Sequence, residues 1–412
     1  MRKGSIAFIF VTLLIDVLGF GLVIPVMPSF VGSLAHEGPS KAAISYGLLV
    51  GLYGTMQFLC SPLLGNLSDR FGRRPVLLLS LFFNGIDYII MATAPTLPWL
   101  FLGRFLSGVA GASFTAATAY IADVSPPEKR SVNFGVMGAA FGIGFIIGPA
   151  VGGLLGQFGQ RVPFWAAALL CLLNVVYGYF VLPESLEPGN RRPLSIKASN
   201  PFGAMQLLRK YPVVWEMVGC LIATNLGDRF LQSTWVLVTN YKFHWNFAET
   251  GISLTAVGVI SVIFQMGIGR IVIPKLGDKP IILIGLASAI FEMLGIAIVP
   301  LGWMVYIVMV IAGMNFLYGQ ATQGLLSKQV PDNEQGALQG ALTSLASLTG
   351  IFGPLIGTFL FSHFTQPGRQ FMVPGAPFYA AAILYFVGLL VASRVLPRIT
   401  ESHAVAQQPV IG

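Results

Sequence analysis

Long apolar runs alternate with short polar breaks along the whole chain of 412 residues. An α-helix needs about 20 apolar residues to cross a hydrocarbon core of roughly 30 Å, and most of the runs reach that length. The pattern predicts twelve membrane-spanning helices at 5–30, 42–66, 74–93, 97–121, 131–157, 162–183, 212–240, 248–276, 279–300, 302–328, 336–364 and 373–396. An even number of spans places both termini on one side of the membrane.

The charged residues indicate which side that is. Most of the 24 Lys and Arg residues lie at the termini or in the loops on the same side as the termini. Because cytoplasmic loops carry the excess of basic residues, both termini are predicted to be cytoplasmic in a plasma-membrane protein. The net charge of +8 then reflects topology, and no nucleic-acid partner is expected.

The amino-acid composition is typical of an integral membrane protein. Hydrophobic residues make up 55% of the chain and charged residues 10%, whereas soluble domains carry about 25% charged residues. The three cysteines, Cys60, Cys171 and Cys220, are scattered among predicted spans, so neither a disulfide framework nor a metal site is expected. The sequence has no nucleotide-binding loop and no spacing typical of a catalytic triad, so we expect neither an enzyme nor a cofactor.

The longest polar stretch divides the chain into two similar halves. The predicted organisation is an N-terminal six-helix bundle at 1–183, a cytoplasmic linker at 184–211 and a C-terminal six-helix bundle at 212–412. Gly72-Arg73-Arg74-Pro75 is echoed by Gly277-Asp278-Lys279-Pro280, and Gly148-Pro149 by Gly353-Pro354, at an offset of about 205 residues. Many secondary transporters are built from such repeats, with the substrate site at the interface of the repeats near the bilayer midplane.

The loop after the second predicted helix reads Gly65-Asn66-Leu67-Ser68-Asp69-Arg70-Phe71-Gly72-Arg73-Arg74-Pro75. Its glycines permit a tight reversal, and its acid can pair with its arginines. The string closely resembles the loop signature of the major facilitator superfamily. That resemblance implies that Asp69 and Arg73 hold the two halves together on the cytoplasmic side, with Asp123 as a neighbouring partner. The alternative is an ordinary basic loop that only follows the positive-inside rule.

The fifth predicted helix is rich in small residues, at Gly135, Gly144, Gly148, Pro149, Gly152 and Gly153. Small residues let helices approach closely, and proline kinks a helix by removing a hydrogen bond. The spacing resembles the glycine-rich pattern that marks proton-coupled drug antiporters within the same superfamily. A role in packing alone is the alternative interpretation.

Shorter segments resemble bacterial tetracycline/proton antiporters over nearly the whole chain, most densely in the first half. They include Tyr120-Ile121-Ala122-Asp123, Leu182-Pro183-Glu184-Ser185 and Gly251-Ile252-Ser253-Leu254. The resemblance implies an all-α membrane protein with the major facilitator fold, twelve transmembrane helices in two six-helix bundles. It also implies proton-coupled export of drug-like molecules, tetracycline-like or of several classes, by alternating access. We expect a monomer in the bacterial cytoplasmic membrane, driven by the proton gradient without a cofactor.

Ionisable residues inside membrane spans cost free energy, and they are therefore candidates for functional sites by default. Here they are Asp16, Asp87, Arg104, Asp228, Arg229 and Glu292. Their depths, counted at about 1.5 Å per residue, converge on one layer and favour a shared polar cavity. The four acids are the predicted proton-coupling groups, with the two arginines as charge partners. The alternative is a set of static ion pairs, Asp16 with Arg104 and Asp228 with Arg229, that only fix helix packing.

The resemblance assigns functional polar residues clearly in the first half of the chain and less clearly in the second half. Asp16, Gln57, Asp87 and Arg104 match the functional polar set of the first half of tetracycline antiporters. In the second half, Ala289 stands where that family has an acid, and Glu292 lies one turn further on the same face. Asp228-Arg229 replaces a neutral pair, and Arg229 is a candidate counterion for Glu292. These departures leave the identity of the substrate open.

Further residues are candidates for lining the substrate pocket, although each could instead serve helix packing. They are Phe58, Phe114, Phe141, Asn225, Gln232, Trp235 and Gln320. Two other functions remain possible at this point: a proton-coupled symporter of a nutrient or metabolite on the same fold, and a non-transporting receptor or scaffold. The glycine pattern of the fifth helix argues against the first, and the depth-matched charges argue against the second.

Overall fold

The computed structural model describes residues 6–111, 113–126, 130–186, 210–331, 334–368 and 371–406, together with 189 and 191. Every regular element within these ranges is a helix. In the part of the chain that the structure describes, eleven helical segments are long and apolar enough to cross a membrane. The seventh predicted span is also helical, but polar and charged residues such as Asp228 and Arg229 interrupt its apolar run. Each of the twelve predicted spans therefore corresponds to a helical segment.

The first half of the chain contains eight helices in its described residues. They are α1 (Ile6–Val23), α2 (Met27–Ala35), α3 (Pro39–Phe71), α4 (Arg73–Thr93), α5 (Leu97–Ala110), α6 (Ser113–Val124), α7 (Arg130–Gly156) and α8 (Val162–Val181). The second half contains α9 (Pro212–Phe243), α10 (Phe247–Val262), a π-helical segment (Ile263–Ile268), α11 (Gly269–Leu276), α12 (Asp278–Ile298), α13 (Gly302–Ile311), α14 (Asn315–Ser327), α15 (Gln335–Thr365) and α16 (Ala376–Ala406).

Three predicted spans are each divided into two helices. The run 5–30 breaks after Val23, and Pro28 stands in the first turn of α2, where a missing backbone N–H costs no hydrogen bond. The run 97–121 breaks at Gly111, whose N–H bonds to the Gly108 carbonyl. The run 302–328 breaks between α13 and α14. Such breaks inside a membrane helix expose backbone groups that polar side chains and ligands can use.

The helices assemble into two compact units. Unit 1 comprises Met1–Pro201, Trp235–Val259 and Phe361–Met372, and unit 2 comprises Phe202–Thr234, Ile260–Leu360 and Val373–Gly412. Two segments from the second half of the sequence thus cluster with the first half. Each unit has its own buried core.

In unit 1, α1 packs against α7 and α8, and α4 packs against α5 and α8. Its core contains Ile9, Leu77, Leu81 and Tyr120, all fully buried. The outer face of α8 is different, because its apolar side chains at 169, 173, 176 and 180 are more than half exposed. An apolar stripe without a protein neighbour is the surface expected to face lipid.

In unit 2, α12 is the central helix and packs against α14 and α16. Leu286, Met293, Leu326 and Tyr385 lie in its core. Two polar side chains, Glu292 and Asn315, are buried among these apolar residues. A polar group buried in this way needs a partner inside the protein, so the helix packing determines the chemistry around Glu292.

Candidate functional site

Two of the buried charges of unit 1 form an ion pair. Asp87 on α4 and Arg104 on α5 are both buried, and the Arg104 guanidinium donates a hydrogen bond to the Asp87 carboxylate. The guanidinium carbon lies 5.5 Å and 5.8 Å from the ring centroids of Tyr53 and Tyr88. A carboxylate and two aromatic faces thus replace the water that Arg104 would otherwise require. The pair neutralises two charges that would be costly to bury singly.

Asp16 is not the ion-pair partner of Arg104, and that hypothesis was wrong. Its carboxylate accepts a hydrogen bond from Asn84 Nδ2 at 3.3 Å, and Asn84 Oδ1 accepts one from Ser107 Oγ at 3.0 Å. The physical reason is packing: α5 lies against α3 and α4, whereas α1 lies against α7 and α8. Asp16 is therefore joined to α4 and α5 through an amide and a hydroxyl instead of directly through a charge.

The buried acid of unit 2 has an amide partner. Glu292 on α12 accepts a hydrogen bond of 2.6 Å from Asn315 Nδ2 at the start of α14. None of the ion pairs in the described part of the chain includes Glu292. Ala289, one turn earlier, is buried on α12 as well, which agrees with the predicted shared face.

Arg229 does not act as the expected counterion in this structure. Its Nη1 donates to Gln232 Oε1 at 2.9 Å, and its side chain lies against Gly350 and Gly353 of α15. Successive residues of a helix point about 100° apart, so Arg229 and Asp228 leave α9 in different directions. Within the described residues Arg229 forms no direct ion pair with Asp228 or with Glu292, although its charge still acts on the Asp228 carboxylate.

Asp228 is instead held by two tyrosines. Tyr318 Oη donates to Asp228 Oδ2 at 2.8 Å, and Tyr385 Oη donates to Asp228 Oδ1. The two rings meet edge to face, with centroids 6.2 Å apart. Asp228 also borders a cavity of about 320 Å³ between α9, α14 and α15. This carboxylate therefore lies on the wall of a cavity.

The predicted pocket residues of unit 1 have protein partners. Gln57 Nε2 donates to Tyr53 Oη at 3.4 Å and to the Gly111 carbonyl at 3.3 Å, which joins α3 to the break after α5. The rings of Phe114 and Phe141 lie 5.6 Å apart. Phe58 is buried and Phe141 is exposed. These contacts do not decide whether a substrate touches them, so their role stays a prediction.

The other predicted pocket residues are also hydrogen-bonded. Trp235 Nε1 donates to Ser253 Oγ at 3.0 Å, and Gln320 Nε2 donates to Gln265 Oε1 at 2.9 Å. Asn225 Nδ2 donates to the Leu221 carbonyl at 2.7 Å. Asn225 lines the same cavity as Asp228. Gln232 serves as the acceptor of Arg229, as described above.

The predicted pairing in the cytoplasmic motif is present within unit 1. Arg73 donates to Asp69, to Asp123 Oδ2 at 3.0 Å and to Ser68 Oγ at 3.1 Å. Arg70 lies 5.2 Å from the Phe71 ring, Arg74 lies 5.5 Å from the Tyr179 ring, and Gly65 faces Thr115. All these contacts are internal to unit 1, so the predicted role in joining the two halves remains a prediction.

Glu184 completes that motif. Gly72 has φ of +111°, a conformation that favours glycine, and a Cβ there would overlap the Glu184 carboxylate. Glu184 Oε1 accepts the backbone N–H of Arg73 at 2.9 Å and of Ser185 at 3.0 Å. A carboxylate at a helix N-terminus satisfies free N–H groups and complements the helix dipole. The start of the predicted linker is thereby attached to the start of α4.

The small residues of α7 lie at the closest helix contacts of unit 1. A Cβ on Gly148 would lie 2.8 Å from Gly21 of α1, one on Gly144 would overlap Val17, and one on Gly152 would overlap the Leu22 backbone. On the opposite side, Gly153 meets the backbone of Phe247, at the start of α10, and the Pro149 carbonyl meets Gly251. Gly135 has open space around it. Every member of this motif except Gly135 thus lies at a close packing contact, and the association of the motif with antiport stays a prediction.

Comparison with known proteins decides the family. A sequence profile described as Major Facilitator Superfamily matches residues 9–322. The chain belongs to this superfamily. The class C tetracycline resistance protein of Escherichia coli is 39% identical over 383 residues, which cover 92% of this chain and 96% of that protein. The class H protein of Pasteurella multocida is 34% identical over 413 residues, which cover 99% and 100% of the two chains.

A solved structure agrees on the fold. The human organic anion transporter MFSD10 superposes with a TM-score of 0.70 at 20% identity, over 94% of this chain and 98% of that one. At this identity the likeness concerns the fold alone. The predicted major facilitator fold is thus confirmed, and so is the resemblance to the group that contains the tetracycline resistance proteins. This facilitator is an integral membrane transporter of small molecules.

Sequence reasoning missed the neutral partners of the buried acids in this facilitator. Asn84, Asn315, Tyr318 and Tyr385 each bond one of the predicted carboxylates. The two asparagines could have been predicted from the sequence, because an asparagine in the middle of an apolar helix needs a buried hydrogen-bond partner. The two tyrosines are harder to predict as partners, since tyrosine is common in membrane helices because of its ring alone.

Proposed function

We propose that this facilitator is a proton-coupled antiporter that exports drug-like molecules from the cytoplasm, with tetracycline-like compounds as the first candidates. The observation that carries the proposal is the end-to-end similarity to tetracycline resistance proteins of several classes, at 34–39% identity. The buried acids supply the chemistry that such coupling needs. The proton gradient is the energy source, and a monomer in the bacterial cytoplasmic membrane, with both termini inside, is the working form.

The contrast between the two buried acids supports proton coupling at Glu292. The charge of Asp87 is balanced by Arg104, whereas the amide of Asn315 gives Glu292 one hydrogen bond and no charge. An ionised carboxylate without a cationic partner is expensive to bury, so protonation is the cheaper way to keep it inside. When alternating access exposes the group to water, the same proton can leave. Glu292 is thus the first candidate for the proton carrier, and Asp16 and Asp87 are the candidates in unit 1.

Proton movement in vesicles tests the proposal. The purified full-length chain is placed in liposomes with an imposed pH gradient, and tetracycline is added on one side. Proton flux opposite to the drug is expected, and Glu292→Gln should abolish it while the variant still folds and binds drug. The exposed Glu37→Gln is the matched control for removing one carboxylate. Protons that move together with a metabolite, and do not respond to drugs, would favour the symporter instead.

A further inference from the structure

A surface groove of unit 2 lies between the first turns of α9 and the last turns of α16. Its volume of about 470 Å³ is within the range of roughly 300–1,000 Å³ that is found for ligand sites. The groove is lined by Glu216 of α9 and by residues of α16 that include Val387, Leu390, Val391, Arg394 and Arg398. These α16 positions recur every three or four residues, so they form one face of that helix.

The groove begins where the close packing of the two helices ends. A Cβ on Gly388 of α16 would lie 3.0 Å from Thr224 of α9, so the helices are in tight contact there. Nearer the ends of both helices, a Cβ on Gly219 of α9 would reach Val391 only at 4.0 Å. Leu390 on the groove wall is exposed, so the groove opens to the surroundings of the protein and not to its core.

The groove is apolar at one end and basic at the other. Val387, Leu390 and Val391 supply the apolar wall, and the exposed Arg394 and Arg398 follow on the same face of α16. At about 1.5 Å per residue, this face extends about 16 Å from Val387 to Arg398. An exposed apolar wall that continues into exposed basic groups matches a molecule with a hydrocarbon part and an anionic part.

The two ends of the groove lie at different depths in the membrane. The apolar span that contains Arg394 and Arg398 ends at Ile399, so both arginines belong to its last turns. On the other wall, Trp215 and Glu216 lie close to the start of α9 at Pro212. Tryptophan and basic residues at the ends of spans lie at the boundary between hydrocarbon and water. The basic end is therefore at the level of the lipid headgroups, and the apolar end is among the acyl chains.

The lining carries an excess of positive charge, because two guanidinium groups face one carboxylate. Arg398 Nη1 donates to Glu216 Oε2 at 3.4 Å, and the two side chains are 67% and 41% exposed. An exposed pair of this length contributes little free energy, so a stronger acceptor can replace it. Within the residues that the structure describes, none of the ion pairs includes Arg394. A guanidinium forms paired hydrogen bonds with phosphate oxygens, and two guanidiniums one helical turn apart can hold one phosphate.

We propose that this groove is a binding site for an anionic phospholipid of the surrounding leaflet. The phosphate of the lipid contacts Arg394 and Arg398, and one acyl chain lies along Val387, Leu390 and Val391. A lipid with one net negative charge complements the excess positive charge of the lining, whereas a zwitterionic lipid does not. The inference goes beyond drug export, since it involves none of the buried acids.

Lipid binding by the purified protein tests the inference. The full-length chain in detergent is titrated with phosphatidylglycerol and with phosphatidylethanolamine that carries the same acyl chains, and native mass spectrometry measures the bound lipid. The wild type should bind phosphatidylglycerol about tenfold more tightly, the ratio given by one charge-assisted hydrogen bond. The double variant Arg394→Gln, Arg398→Gln should reduce that ratio to about one. The control Arg270→Gln, Lys275→Gln removes two exposed positive charges outside the groove and should keep the wild-type ratio.

The carboxylate of the groove supplies a second test, with an effect of opposite sign. Glu216→Gln removes the acid that competes for Arg398, so the affinity for phosphatidylglycerol should rise about two- to fivefold. If Glu216 and Arg398 only hold the two helices together, the affinity in this variant stays the same or falls. Either of those two results contradicts a phosphate site at the arginines.

Three further results would overturn the inference. They are equal affinity of the wild type for the two lipids, an unchanged ratio in the double arginine variant, and displacement of the lipid by inorganic phosphate. Displacement by inorganic phosphate would assign the groove to a soluble anion, since that ion has no chain for the apolar end. The first and the third result are measured on the wild type, so they decide the question even if a variant does not fold. All binding is measured without a drug or a pH gradient, so failure here is distinct from failure of the proposed antiport.

Discussion

Asp87 and Glu292 occupy equivalent places in the two repeats and have different partners. Both lie on the helix that follows the motif glycine, α4 after Gly72 and α12 after Gly277, and both are buried. Asp87 is bonded by the guanidinium of Arg104, and Glu292 by the amide of Asn315. The comparison teaches that one architectural position can hold either an acid balanced by a cation or an acid whose hydrogen-bond partner is neutral.

The largest effect is expected when the charge partner of Asp87 is removed. Arg104→Ala leaves a buried, unpaired carboxylate and should lower the free energy of unfolding by about 3–5 kcal/mol. The double variant Asp87→Asn, Arg104→Ala should recover a large part of that loss, because no uncompensated charge remains. Denaturant titration of the purified protein in detergent measures both. Equal stability of the single and the double variant would show that Asp87 does not depend on Arg104 for its burial.

A second test compares a small residue in each unit. Gly148→Ala places a methyl group against the backbone of α1 and should lower the free energy of unfolding by about 1–3 kcal/mol. Gly350 in α15 is a matched control, since a Cβ there would meet Arg229 at an ordinary 3.7 Å. Gly350→Ala should leave stability unchanged or raise it by about 0.5–1 kcal/mol. If both variants lose the same amount, close contact between α1 and α7 is not the cause.

A third test removes the partner of Glu292. Asn315→Ala takes away one hydrogen bond from the acid and should cost about 1–2 kcal/mol, less than the loss at Arg104. The loss should be smaller in the Glu292→Gln background, since a neutral side chain needs the amide less. Thermal unfolding of the four proteins in one double-mutant cycle measures the coupling. A cost as large as that of Arg104→Ala would remove the distinction between the two acids.

The smallest effect is expected at a carboxylate outside the membrane. Hydrogen bonds from Lys210 and Tyr211 lower the pKa of Glu334 below its ordinary value. A carboxyl whose pKa is lower in the folded protein stabilises it above the ordinary pKa, and this contribution is lost as the pH falls through the lowered value. Glu334→Gln should therefore reduce stability slightly at neutral pH, and the difference from the wild type should shrink as the pH falls below the ordinary carboxyl pKa. Stability curves of variant and wild type that run parallel over this range would contradict the assignment.

Much of the fold could be predicted because its signal is local. About 20 apolar residues in a row have few alternatives to a membrane helix, and the structure places a helix at each predicted span. The breaks at Gly111 and between α13 and α14 were missed, since no proline stands there and the interruption depends on neighbouring helices. The division into units differs from the two sequence halves for the same reason, because the segments 235–259 and 361–372 cluster with unit 1 through their contacts.

The sequence predicted which residues belong to the candidate site, but it did not predict which of these residues contact one another. The composition of the spans and the cost of charge in lipid pointed to six residues, Asp16, Asp87, Arg104, Asp228, Arg229 and Glu292. Which of them touch depends on the direction in which each side chain leaves its helix and on which helices are neighbours. The static pairs of the alternative interpretation, Asp16 with Arg104 and Asp228 with Arg229, are not direct ion pairs in the described residues on that account.

By itself, the sequence determined that this chain is a membrane protein of helical spans, that it resembles the tetracycline resistance proteins of its superfamily, and that its membrane charges are few. These properties follow from runs and motifs of adjacent residues. The tertiary structure alone decided that Arg104 serves Asp87, that Asn315 serves Glu292 and that two tyrosines hold Asp228 at the end of a cavity. The physical reason is that a buried polar group bonds whatever the packing brings within about 3 Å, and distance along the chain does not determine distance in the fold.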